Sequence, residues 1–112
     1  MRTITLLIIH CSAVKPNQTS SAKQIDEWHR ARGYPNGIGY HYVIRRDGSI
    51  EKGRPESMIG AHVKDHNAHS ISICYEGGLD EQGNPKDTRT PEQRATLRAL
   101  LEELHKSYPR AL

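Results

Sequence analysis

Long apolar runs are the first thing this 112-residue sequence lacks. No stretch approaches the roughly 20 apolar residues that cross a bilayer as a helix, so no transmembrane helix is expected. Cysteine is scarce too: Cys11 and Cys74 are the only two. They do not make the dense framework of a small disulfide-stapled domain, and free thiols are expected. Aromatic residues amount to 5% with no phenylalanine, and 16 Lys+Arg are scattered among 13 Asp+Glu for a net charge of +3. Without a basic run or interleaved aromatics, nothing prompts a nucleic-acid surface. The opening MRTITLLIIHCSA carries one arginine before its apolar run, which is at the lower limit for a secretory signal. His10 stands where small residues should precede a cleavage site, so synthesis in the cytoplasm without a signal peptide is expected.

What is present suits one domain spanning residues 1–112 with a single core. Residues 3–9, β-branched and leucine-rich without polar alternation, predict a strand buried on both faces. Ser21-Ala22-Lys23-Gln24 reads as a capping box opening a helix over 21–32, with Ile25, Trp28 and the stem of Arg32 on one face and Gly33 ending it. After the turn Pro35-Asn36-Gly37, a strand over 38–44 leads into a hairpin at Arg45-Arg46-Asp47-Gly48, and 49–51 begin its return. SISICY (70–75) alternates and predicts another strand, released by Gly77-Gly78 into a polar loop over 79–89. Thr90-Pro91-Glu92-Gln93 opens a second helix over 91–107, whose Leu97, Leu100, Leu101 and Leu104 form a stripe for the sheet. Beyond Tyr108-Pro109, Ala111 and Leu112 read as the first residues of one more strand. The fold class expected is α/β: a mixed central β-sheet with 3–9 and 38–44 near its middle, 70–75 beside them, and helices on both faces.

Of seven histidines, His10, His41, His62, His66 and His69 fall where a site could use them. His10 follows a buried strand, and the carboxyl end of such a strand faces a crevice; metal ligand and structural residue both stay open for it. Cys11 points to the other face and reads as core. His62 and His66 are spaced i, i+4, which on a helix would face one metal. Gly60, Asp65 and Asn67 argue for a loop instead, and no glutamate follows His62 as the metalloprotease pattern requires. The segment HVKDHNAH (62–69) is therefore read as a pocket wall. Alternation puts Tyr40 and Tyr42 on one strand face and His41 on the other; either tyrosine is a buried residue or a hydroxyl beside an activated water.

Five segments, IIHCSA (8–13), IDEWHRARGY (25–34), GIGYHYVIRRDGSIEKGRP (37–55), IGAHVKDHNAHSISICYEGG (59–78) and TPEQRATLRALLEEL (90–104), stand in an order that spans nearly the whole chain. In them the sequence resembles the zinc-dependent N-acetylmuramoyl-L-alanine amidases of the phage-lysozyme type, related to the peptidoglycan recognition proteins. The resemblance implies a three-layer α/β fold, a Zn2+ cofactor, peptidoglycan as partner and the cell wall as place of action. It implies further that His10 is the first zinc ligand, that Tyr40 is the catalytic tyrosine, and that His62 and Asn67 line the groove for glycan and stem peptide. The reaction implied is hydrolysis of the amide between N-acetylmuramic acid and L-alanine, with zinc activating the water. The family completes its site after the long helix, on a further strand and loop bearing a second histidine, a cysteine and usually a lysine. His105, Cys11 and Cys74 do not match these positions and nothing follows Leu112, so a C-terminally truncated domain with half a site is expected. An inactive peptidoglycan-binding module is the alternative.

Overall fold

The structure is a computed structural model that describes residues 2–112. Along the chain come strand β1 (Leu6–Cys11), helix α1 (Ala22–Ala31), strands β2 (Tyr42–Ile44) and β3 (Ile50–Lys52), a 3-10 turn (Asn67–His69), strand β4 (Ser70–Tyr75) and helix α2 (Pro91–Ser107). The strands form one sheet in the order β1-β4-β2-β3. β4 runs parallel to both neighbours, Leu6 opposite Ser70 on one side and Tyr42 opposite Ile73 on the other, while β2 and β3 make an antiparallel hairpin. This is the mixed sheet expected, with its middle placed differently. β4, not β1, lies inside it.

Alternation along β4 divides the core between the two faces. Ile71 and Ile73 join Ile4, Ile44, Leu97, Leu104 and Ala111 under α2, whereas Cys74 joins Val43, Ile38 and Ile25 under α1. Each helix thus covers one face, and β4 is buried on both. β1 is only half-buried, and Ile9 is 40% exposed. The expectation of a doubly buried first strand fails because β1 sits at the margin of the sheet, and its ladder begins at Leu6 instead of residue 3. On its outer side Leu7 N–H donates to Leu112 O (3.0 Å) and Leu112 N–H to Thr5 O (3.1 Å), the pattern of parallel pairing. Leu112 therefore lies alongside β1, running in the same direction.

Both helices start as their sequences dictate. Ser21 Oγ accepts from Gln24 N–H at 3.0 Å while Gln24 Oε1 accepts from Ser21 N–H at 2.8 Å; Thr90 and Gln93 repeat the exchange at 3.0 and 2.9 Å. Each box satisfies two amides that a helix start would leave orphaned. The inward face of α1 is Ile25 and His29, not Ile25 and Trp28: the indole is 40% exposed. Gln93 carries α2 onto the sheet, its amide donating to Ile44 O (3.2 Å) and Glu76 O (2.9 Å).

At the end of β4, the Glu76 carboxylate is 3% exposed and accepts from the backbone N–H of Ser20 at 2.6 Å and of Arg46 at 3.0 Å. Arg45 Nε lies 3.2 Å from Oε1, off the angle of a hydrogen bond, and Arg46 Nη1 lies 4.0 Å from Oε2. One side chain thereby ties the approach to α1 and the tip of the hairpin to the central strand.

Candidate active site

The site is built from a strap, residues 37–39, that crosses from α1 toward β2. Asp26 Oδ1 accepts from Ile38 N–H at 2.8 Å and His29 Nδ1 from Gly39 N–H at 2.9 Å. Arg54, 8% exposed, donates to Ile38 O at 3.1 Å and Gly37 O at 3.3 Å, and Ala61 N–H donates to Gly39 O at 3.1 Å. Gly39 has no room for a side chain, since a Cβ there would meet Ala61 O at 2.0 Å.

Past the strap the consecutive amides of Gly53 and Arg54 donate to His41 O and Tyr40 O, each at 2.9 Å. Two successive residues donating to the same neighbouring segment break the every-other-residue pattern of an antiparallel ladder, so side chains do not alternate strictly through 40–41. Tyr40 consequently packs toward Cys74 on the α1 face, while Tyr42 joins the α2 face and donates its hydroxyl to Glu56. The expectation that the two tyrosines share a face is thereby corrected, because 38–41 are not a regular strand.

Three of the expected site residues converge at the carboxyl end of β1. The His10 ring stands 5.4 Å from that of Tyr40 and 5.1 Å from that of His62, centre to centre, and His10 Nε2 meets His62 Nδ1 at 2.9 Å. The other nitrogen of His62 lies 3.0 Å from Ser70 Oγ. Asn67 does not face the cluster with its oxygen: Oδ1 accepts from the backbone N–H of His62 and of Val63, both at 2.9 Å, and so holds the loop that presents His62. His41 is 1% exposed, accepts from Ser72 N–H at Nδ1 (3.0 Å) and contacts Met58 O through Nε2 (2.8 Å), which occupies both nitrogens. His66 and His69 pair with each other at 3.2 Å on the exposed side of a loop; no helix joins His62 to His66.

Burial sets the electrostatics. It pushes the Tyr40 hydroxyl well above its usual range, with the neighbouring Cys74 and Cys11 thiols adding to the rise, so the phenol keeps its proton. Burial lowers His10, and it lowers His62 to about 4 with the His10 ring adding to the effect. Both imidazoles are neutral at pH 7, and one donates to the other. Burial raises the Cys74 thiol far above neutrality, so no thiolate ligand is offered there.

A catalytic zinc takes three protein ligands and leaves one position open. His10 Nε2 and His62 Nδ1 sit near the roughly 3.3 Å that two nitrogens span on a tetrahedral zinc. Among the described residues no group of three His, Cys, Asp or Glu side chains could hold a metal ion. The residues present therefore do not complete a zinc site. An apolar groove of about 970 Å³ lies on the far face, lined by Leu7, Ile9, Leu97 and Leu101 with Arg94 and Arg98 at its rim, and it shares no residue with the cluster.

One member escaped the sequence reading: His29, which lies 5.4 Å from the Tyr40 ring and 4.9 Å from that of Tyr34. Its i, i+4 spacing from Ile25 was the available signal.

The family model described as N-acetylmuramoyl-L-alanine amidase matches residues 1–111. The endolysin of Enterobacteria phage K11 is 42% identical over 104 residues, covering 93% of this chain and 68% of that protein. The endolysin of Escherichia phage T7 is 41% identical over 106 residues, covering 95% and 70%. Among solved structures, the N-acetylmuramoyl-L-alanine amidase LysC from Clostridium intestinale superposes with a TM-score of 0.82 at 34% identity, covering 96% of this chain and 66% of that one. The chain thus spans about two thirds of the length of these relatives.

Proposed function

The chain belongs to the N-acetylmuramoyl-L-alanine amidase family, and from that membership we propose that it hydrolyses the amide joining N-acetylmuramic acid to the L-alanine of the peptidoglycan stem peptide, acting on the cell wall as an endolysin-like enzyme. The observation that carries this reading is the meeting of Tyr40, His10 and His62 at the carboxyl end of β1.

Amide hydrolysis needs a nucleophilic water and a donor for the oxygen that becomes negative in the tetrahedral intermediate. Tyr40, kept protonated by burial, is the donor we assign. His10 and His62, both neutral, turn Nε2 and Nδ1 toward each other at 2.9 Å, one as donor and the other as acceptor. We assign His10 as a metal-directed nitrogen and His62 as its companion and as wall of the substrate groove. Asn67 serves that groove by holding the backbone of the His62 loop. Zinc dependence is part of the proposal only to that extent: the two nitrogens are one ligand short, and no step is assigned to the metal here.

The test is release of free stem peptides from purified sacculi, with zinc added in excess, by the wild-type chain and by Tyr40→Phe. Turnover by the wild type and a loss of about 100-fold or more in the variant, with sacculus binding unchanged, support the assignment. Binding without release by the wild type overturns hydrolysis in favour of a wall-binding module. Undiminished release by Tyr40→Phe removes the tyrosine from the reaction.

A further inference from the structure

We propose that His29 is a positioning residue for Tyr40, acting through the backbone N–H of Gly39, the strap residue immediately before the tyrosine; this rests on the hydrolytic reading for its catalytic consequence but not for its geometry. Nδ1 of His29 accepts from Gly39 N–H at 2.9 Å, and the imidazole lies against the phenol of the next residue at 5.4 Å between ring centres with a 52° tilt. The Tyr34 ring lies 4.9 Å away, and His29 is 6% exposed. The buried imidazole thus packs on two aromatic rings with its acceptor aimed at one donor.

That bond selects a tautomer. An acceptor at Nδ1 places the ring proton on Nε2, and a second proton would set an N–H against the Gly39 N–H. Burial, then the nearby Arg32 and Arg54 charges, lowers the His29 pKa in the direction this requires. Asp26, one turn earlier on α1, holds Ile38 N–H in the same way at 2.8 Å. Two side chains of one helix therefore fix successive amides immediately before Tyr40. Gly39, packed on Ala61 O, cannot relax by shifting toward the 59–61 segment. Loss of the acceptor leaves the buried Gly39 N–H seeking another partner, and rotation of the 38–39 peptide that carries it displaces the residue leading into Tyr40, and with it the phenol that packs on His10.

The experiment compares the full chain with His29→Leu, which has no acceptor, and His29→Asn, whose Oδ1 can take the place of Nδ1. We expect His29→Leu to speed Gly39 amide exchange by about tenfold or more and to shift the Tyr40 ring resonances. With that change kcat for stem-peptide release should fall about 10- to 100-fold at constant KM, as misplacement of a catalytic group does. His29→Asn should return all three readouts to within about threefold of wild type. Unchanged Gly39 exchange and Tyr40 resonances in His29→Leu overturn the proposal, as does an Asn variant impaired as severely as Leu. Should the Leu chain fail to fold, His29→Gln replaces it, since its acceptor is displaced by one carbon; a Gln variant equal to Asn then overturns the proposal. A wild type without turnover refutes the hydrolytic reading instead, and the Gly39 and Tyr40 signals alone then decide the positioning role.

Discussion

Replacing Glu76 by glutamine changes one atom of a buried carboxylate and tests whether the central strand is tied to its neighbours as described. In the wild type one oxygen accepts from Ser20 N–H at 2.6 Å and the other from Arg46 N–H at 3.0 Å. A carboxamide keeps one oxygen and turns an NH2 toward the remaining amide, so a charge-assisted bond worth about 1.5–3 kcal/mol is lost and two donors face each other. Arg45, 26% exposed and off hydrogen-bond angle, turns to solvent at little cost and is discounted. The expected loss is about 3 kcal/mol, near 12 °C in Tm for a chain of this size. Urea titration at pH 7 should show a lower midpoint at constant slope. The pH dependence supplies a second check. Burial alone pushes the Glu76 carboxyl up, but the Ser20 and Arg46 amides with Arg45 outweigh it and hold it below its ordinary 4.5. A depressed carboxylate stabilises above its unfolded pKa, and that stability is lost as pH falls through the folded value. The gap between the Glu and Gln chains should therefore narrow below about pH 4. A loss under about 1 kcal/mol at pH 7, or a gap that does not close in acid, refutes the reasoning.

Burial also lowers His10, His29, His41 and His62, so the unfolded chain takes up protons first. Stability is full above about pH 6.5 and should fall as pH drops toward the folded values; His62, held at about 4 and partly exposed, accounts for about 1–2 kcal/mol of the loss between pH 7 and 5. A urea midpoint that is flat across that range contradicts it. Gly39→Ala drives a methyl to within 2.0 Å of the Ala61 carbonyl oxygen and should cost about 3 kcal/mol or more in chemical denaturation; a loss under about 1 kcal/mol means the strap is looser than described. After exhaustive buffer exchange the chain should retain below about 0.1 zinc per molecule, because two imidazoles lack the third ligand. Near one zinc per molecule, by elemental analysis, would show that a third group joins them.

Local chemistry made much of the fold legible. Both capping boxes, the leucine stripe of α2 and the alternation of β4 are short-range patterns, and each appears where it was read. Strand order was not legible, since Leu6 finds Ser70 through a pairing that no local pattern encodes. Apolar residues without alternation suggested a doubly buried β1, yet an edge position leaves Ile9 exposed. Strict alternation through 38–44 put Tyr40 on the wrong face because the regular ladder is lost at 40–41, where Gly53 and Arg54 of the partner segment both donate to it. His10, Tyr40 and His62 came from motif likeness and do meet in space. His29 was hidden because Trp28 beside it looked the more natural residue to bury.

The place of β4 has a kinetic consequence. β1 and β2 do not touch as strands; each pairs in parallel with β4, which is the last of the four to be synthesised. The apolar LLII of β1 waits for a partner made about sixty residues later, which at ribosomal speed is about 3 to 12 seconds. Contacts so distant along the chain slow the search for the native pairing and leave an unpaired edge available to other nascent chains. For this topology the hazard of aggregation is concentrated in synthesis, before β1 has a native strand partner to find.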